Sequence, residues 1–196
     1  YILGVSSGAS LGAATAIAFA KEGCSIGLNY NRNPEGAEAT AAKIRELGAP
    51  VEIYKADVAL SEDCEAMVNA FIQRFGGIDV LVNNAGGALK IPRGEFIDMP
   101  VEYWNDQINL NLNAAAYTSR IAVRNMIENK VRGKIINVSS IHSIVTWVKR
   151  KMLPYCAGKA GLNMFTKALA CEVAKYGINV NCIAPGVIDS PMNNAH

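Results

Sequence analysis

Histidine is scarce in this chain of 196 residues: His142 and His196 are its only two, and no group of Cys and His has the spacing of a metal site. A zinc hydrolase is therefore excluded, and no metal is expected. The five cysteines (Cys24, Cys64, Cys156, Cys171 and Cys182) form no CxxC pair. An odd count in a chain this long argues for reduced thiols rather than a disulfide framework, which suits a cytoplasmic setting. Long apolar runs are also lacking, since residues 13–20, interrupted by Thr15, fall far short of the ~20 needed to cross a bilayer. Charge of one sign is not in excess: 19 basic residues face 17 acidic ones, net +2, with no long block of either. Neither a nucleic-acid surface nor a membrane surface is expected, and the partners should be small molecules. There is no repeat, low-complexity tract or linker to divide the chain. Tyr1 already lies in a strand-like run and His196 in a polar stretch, and both ends are expected to be clipped.

What is present suits one globular domain. Hydrophobic residues make up 51% and charged ones 18% of a 20.9 kDa chain, and at this length a fold buries roughly 70% of its unfolded surface. Short β-rich runs recur at residues 1–5, 25–30, 51–56, 78–83, 134–139 and 178–184. Their spacing leaves room for a crossover helix between them, and near-continuous apolar strands such as Ile78-Asp79-Val80-Leu81-Val82 require a sheet covered on both faces. The prediction is a doubly wound, parallel α/β unit in three layers. After Ser61, a candidate N-cap, Cys64, Val68, Phe71 and Phe75 form a helical core stripe that stops at Gly76-Gly77. A further helix over 34–47 ends at Gly48 and presents Glu35, Glu38, Lys43, Arg45 and Glu46 to solvent.

Candidate ligand-binding residues gather at the C-terminal ends of the predicted strands, where open α/β sheets bind ligands. The loop Val5-Ser6-Ser7-Gly8-Ala9-Ser10-Leu11-Gly12 runs from a strand into a helix, an arrangement that offers free backbone N–H groups to a pyrophosphate. The second strand ends in Asn29-Tyr30-Asn31-Arg32, without the acidic residue that would bind a ribose 2′-hydroxyl. A carboxylate would repel a 2′-phosphate and Arg32 would pair with one, so NADP(H) is favoured over NAD(H). Asp57-Val58 and Asn83-Asn84-Ala85-Gly86 follow the third and fourth strands. Farther on, Tyr155 and Lys159 stand one helical turn apart, so that an ammonium can favour the phenolate of a neighbouring tyrosine. Ser139-Ser140 ends the fifth strand with a hydroxyl able to polarise a carbonyl oxygen, and Asn111 falls within a predicted helix.

In this order the marks resemble the short-chain dehydrogenase/reductases over essentially the whole chain. The resemblance implies a Rossmann fold and an oxidoreductase that moves a hydride between nicotinamide and a carbonyl or secondary alcohol. It implies that Tyr155 is the general acid/base, that Lys159 lowers its pKa and holds the nicotinamide ribose, that Ser140 orients the substrate oxygen and that Asn111 supports a proton-relay water. By the same likeness Ser6, Gly8, Ser10, Leu11 and Gly12 form the phosphate loop and Tyr30 and Arg32 flank the adenosine ribose. Asp57 and Val58 then meet the adenine, Asn84, Ala85 and Gly86 line the nucleotide, and Pro185, Gly186 and Ile188 contact the nicotinamide. A homo-oligomer, dimer or tetramer, built on the helices over 104–130 and 155–175 is implied too. Family members continue beyond a point equivalent to residue 196, so a substrate lid and an edge of the sheet are expected to be missing.

The chain also departs from the family pattern. Serine replaces the first two loop glycines in the register that ends at Gly12, and a second register through Gly4, Gly8 and Gly12 fits a longer loop. The interval from Ser140 to Tyr155 is longer than usual, which makes Ser143 a second candidate for the hydroxyl. Asn29-Tyr30 and Ser139-Ser140-Ile141-His142 are similar to sugar dehydrogenases of the glucose dehydrogenase kind, while the layout equally resembles 3-oxoacyl-carrier-protein reductases. Lys149-Arg150-Lys151 reads as a solvated charge run or as a contact for an acidic carrier. A nucleotide-binding regulator without catalysis is the alternative from another class.

Overall fold

Apolar strands alternate with amphipathic helices along the whole of the computed structural model, which describes residues 2–5, 11–89, 95–146 and 152–188. The strands are β1 (Ile2–Val5), β2 (Ile26–Tyr30), β3 (Val51–Lys55), β4 (Val80–Asn83), β5 (Lys134–Val138) and β6 (Asn179–Ile183). Between them lie α1 (Leu11–Lys21), α2 (Pro34–Glu46), α3 (Ser61–Phe75), α4 (Val101–Ile108), α5 (Ala114–Glu128) and α6 (Leu153–Val173). The sheet order is β3-β2-β1-β4-β5-β6 and every pairing is parallel. Because the order reverses between β1 and β4, the helices that follow these two strands leave on opposite faces and open a crevice at the strands' C-terminal ends.

Each face carries its own core. On one, Phe71 and Phe75 of α3, Ala122 and Met126 of α5 and Val173 of α6 pack on Leu81, Ile135 and Val180. On the other, Ala16 and Ala20 of α1 and Ala41 and Ile44 of α2 cover Ile26, Leu28, Val82 and Val138. This is the three-layer, doubly wound arrangement expected. The predicted stripe Cys64, Val68, Phe71 and Phe75 is buried and α3 stops at Gly76, while Glu35, Glu38, Lys43, Arg45 and Glu46 are exposed. Asn33 caps α2 by accepting from the Gly36 N–H at 2.9 Å.

Two local expectations are corrected. Ser61 is not the N-cap of α3: Leu60 occupies that position and the Ser61 hydroxyl donates to Glu62 instead. A turn closed by Asp57, whose Oδ1 accepts from Ala59 N–H and whose carbonyl accepts from Leu60 N–H, already sets the helix entry one residue earlier. The predicted long helix over 104–130 begins at Val101 and ends at Glu128, and between α4 and α5 it widens into a π-helical segment, Asn109–Asn113. Such insertions recur at functional sites.

Candidate active site

The crevice is built on a buried polar ladder that ties four elements together. Asn83, at the end of β4, donates through Nδ2 to Asn137 Oδ1 at 2.8 Å and to Ser119 Oγ at 3.1 Å, and its Oδ1 accepts from Thr118 Oγ1 at 2.7 Å. Asn137 of β5 donates in turn to Thr166 Oγ1 of α6 at 2.9 Å. Every one of these groups is buried and partnered, so the ladder is a fixed support. Beside it a small cavity is lined by Val58, Asn83, Ala85, Asn111 and Thr118, which brings three of the predicted site residues into one place.

Tyr155 lies in the first turn of α6, with Lys159 one turn on. Lys159 is only 3% exposed, and its Nζ donates to the Val138 carbonyl at 2.8 Å. Burial lowers its pKa to about 8, with Cys182 nearby acting in the opposite direction. The Lys159 Nζ lies 6.0 Å from the centre of the Tyr155 ring. Burial raises the Tyr155 phenol above its ordinary value, the nearby Ser140 hydroxyl pulls the other way, and Cys156 adds a small upward push. Ser140 lies two residues past the end of β5 in extended conformation, with its Oγ accepting from His142 N–H at 3.2 Å. Ser143 is not the alternative hydroxyl, because its Oγ donates to the Ser140 carbonyl at 2.6 Å and accepts from Asn163 Nδ2 at 2.7 Å.

Asn111 sits in the π-helical segment, 2% exposed, and clasps the loop after β4. Its Oδ1 accepts from Gly87 N–H and its Nδ2 donates to the Gly87 carbonyl, both at 3.0 Å. Nδ2 also reaches Oε1 of Gln107 at 3.1 Å. Gln107 is fully buried with its Nε2 unpartnered, a site neighbour that sequence reading missed because its position in α4 reads as core. A Cβ at Gly86 would stand 2.7 Å from Lys159 Nζ and 3.0 Å from Asn111 Oδ1, so the backbone here runs against both side chains and leaves no room for a methyl group. Tyr155, Ser140, Lys159, Asn111 and Gly86 thus form one connected cluster.

The remaining predicted residues that the structure describes fall around the same crevice. Leu11 and Gly12 open α1, whereas Ser6, Gly8 and Ser10 lie outside the described residues. Tyr30 is half-buried and Arg32 exposed just beyond the end of β2. Asn29 is committed elsewhere, its Nδ2 donating to the Tyr54 and Ala56 carbonyls across to β3. Asn84 and Ala85 are half-buried in the loop after β4. The Pro185 carbonyl accepts from Ile141 N–H at 2.9 Å, which draws the segment with Gly186 and Ile188 alongside the Ser140 turn. Among the described residues no group of three or more His, Cys, Asp or Glu could hold a metal ion, and no helix is long and apolar enough to cross a membrane.

The chain matches the family model for short chain dehydrogenases over residues 1–196. It is 39% identical over 183 residues to 3beta-hydroxysteroid dehydrogenase 1 of Eggerthella lenta, covering 93% of this chain and 68% of that one. To glucose 1-dehydrogenase 2 of Bacillus subtilis it is 33% identical over 190 residues, covering 95% and 71%. Its structure superposes on the crystal structure of acetoin dehydrogenase from Enterobacter cloacae with a TM-score of 0.90 at 33% identity, covering 99% of this chain and 75% of that one. The chain therefore belongs to the short-chain dehydrogenases, and it is an oxidoreductase acting on alcohol or carbonyl substrates.

Proposed function

We propose an NADP(H)-dependent carbonyl reductase or alcohol dehydrogenase in which Tyr155 is the acid/base, and the observation that carries this reading is the buried Lys159, held by the Val138 carbonyl with its Nζ 6.0 Å from the centre of the Tyr155 ring. A nicotinamide nucleotide fits the crevice: Gly86 keeps side-chain bulk away from Lys159 and Asn111, and the N-terminus of α1 faces the same strand ends. Gly12 and Leu11, with Ser6, Gly8 and Ser10, would hold its phosphates, and Asp57, Val58, Asn84 and Ala85 its adenosine half. Pro185, Gly186 and Ile188 would meet the nicotinamide ring, which supplies the hydride acceptor or donor. Oxidation of a secondary alcohol also releases a proton from oxygen, and reduction of a carbonyl consumes one. The Tyr155 phenolic oxygen handles that proton while the Ser140 hydroxyl donates to the substrate oxygen. A tyrosine is a phenol at neutral pH, so Tyr155 holds the proton that carbonyl reduction consumes. Lys159 would hold the nicotinamide ribose, and Asn111 would support the water that resupplies the proton.

Arg32 supports NADP(H), with the adenosine 2′-phosphate as its partner. The substrate rim is apolar. Ile141, Ile144 and Val145 after Ser140, Leu153 before Tyr155, and Val187 and Ile188 after Pro185 are all exposed large hydrophobic side chains. They favour a substrate with an apolar body, such as a ring system or acyl chain, over a sugar. The five cysteines are free thiols, in keeping with a cytoplasmic setting, and self-association through α4, α5 and α6 completes the reading. Titration with NADPH and NADH, followed by nicotinamide fluorescence, and a turnover screen over sugar, acyl and cyclic carbonyls test it together. Tighter NADPH binding and turnover of apolar ketones are expected. Preference for NADH would remove Arg32 from the site, and binding without turnover would favour the non-catalytic regulator.

A further inference from the structure

Ser140 and Tyr155 belong to different elements, and the distance between their hydroxyls is set by whatever fastens the end of β5 to α6. We propose that Asn163, acting through Ser143, is a positioning residue that holds Ser140 against Tyr155. This rests on the reading of Tyr155 and Ser140 given above.

Asn163 follows Tyr155 and Lys159 at i+8 and i+4, on the same face of α6. Its Nδ2 donates to Ser143 Oγ at 2.7 Å, and that hydroxyl passes its single proton to the Ser140 carbonyl at 2.6 Å. On the other side, Asn163 Oδ1 accepts from the Cys182 thiol of β6 at 3.4 Å, which fixes which end of the amide faces Ser143. The relay therefore runs in one direction, from β6 through α6 to the main chain of Ser140. It grips the serine by its carbonyl, apart from the hydroxyl, which accepts from His142 N–H. The Ser140 carbonyl also accepts from Ser143 N–H at 2.9 Å, so the turn itself survives without the relay and what changes is its placement against α6.

This separation supplies the test. Among the described residues, the groups that face Tyr155 and bear on its titration are the Ser140 hydroxyl, Cys156, the His142 ring at 6.3 Å and Lys159 Nζ at 6.0 Å. Asn163 and Ser143 carry no charge, so replacing them alters the titration of Tyr155 only by moving Ser140. Ring-labelled tyrosine is titrated by NMR, with Tyr155→Phe assigning the signal, in the wild type, Asn163→Ala, Ser143→Ala and the double variant. In each single variant the Tyr155 titration should move to higher pH, and the double variant should move no further, because both residues act through one contact. Reductase kcat should fall about tenfold in each with the cofactor KM unchanged, and Ser143→Thr should restore both readouts. An unmoved Tyr155 titration in folded Ser143→Ala overturns the proposal, as do additive shifts, and Ser143→Ala carries the test if Asn163→Ala does not fold. A wild type that turns over no carbonyl but shows the shifts would sink the functional reading and leave the relay standing. Turnover that depends on Tyr155, with unmoved titrations, would do the reverse.

Discussion

The two ends of the crevice are held by opposite means. Where β5 meets α6, side chains and main chain are tied into a continuous buried network: Lys159 to Val138, Ser139 Oγ to the Lys159 carbonyl at 3.1 Å, and Asn137 to Thr166. At the tip of β2, Arg32 stands exposed beside the cap of α2, while the nearest buried polar side chain, Asn29, binds backbone across the sheet. Proton chemistry requires atoms fixed within fractions of an ångström, so it needs a wired support. Recognition of a phosphate by an exposed guanidinium tolerates solvent and motion. Substitutions at the wired end should therefore spread through the cluster, and those at the β2 tip should act singly.

The sharpest break of this contrast is Tyr155→Phe. It should lower kcat by about 10³-fold or more while leaving NADPH affinity nearly unchanged by fluorescence titration; substantial residual turnover would remove the acid/base assignment. Gly86→Ala comes next. Its methyl would lie 2.7 Å from Lys159 Nζ and 3.0 Å from Asn111 Oδ1, so both side chains must move, and kcat should fall roughly 10²-fold with weakened cofactor binding. Wild-type kinetics in this variant would show the cluster to be loose.

Lys159→Met separates stability from activity. The buried lysine has its pKa lowered to about 8, against an ordinary value of 10.5. Between these values the unfolded chain holds more protons than the native one, so wild-type stability should rise with pH across that window. Below about pH 8 the cost of burying the ammonium is fully felt. The Met variant should therefore gain on the order of 1–3 kcal/mol near neutrality, lose the rise towards alkaline pH, and be inactive. Thermal melts at neutral and alkaline pH check both points. The smallest effect belongs to the β2 tip, where Arg32→Ala should weaken NADPH about tenfold and leave NADH and kcat untouched. An equal loss for both nucleotides would mean that Arg32 supports the loop rather than reads the phosphate.

Much of the fold was legible because its signals are local. Apolar strands at regular spacing, the stripe of α3 and the run of α2 from Pro34 to the glycine at 48 all depend on neighbours in sequence. The cap of α3 was misread for the same reason, since the turn made by Asp57 competes with Ser61 and only three dimensions show which prevails. Within the site, Tyr155, Lys159, Ser140 and Asn111 were legible through family resemblance, and the structure adds how they touch. What could not be read were the supports: Thr118 bonds Asn83 from 35 residues away, Asn163 bonds Ser143 from 20 away, and Gln107 occupies a core position of α4. Asparagine and serine in a sequence look like turns and caps. Their pairing inside the protein is decided by strand register and helix packing, neither of which leaves a spacing rule.

The reciprocal bonds between Lys159 and the end of β5 also bear on how such a protein tolerates change. Helix α6 is pinned to the sheet directly, by the lysine's ammonium on Val138 and its carbonyl under Ser139. The position of the helix against the sheet therefore does not hang on the length of chain that follows the Ser140–Ser143 turn. That stretch can vary in length and composition as substrates change, provided the turn itself is kept, while Tyr155 and Lys159 stay where they are.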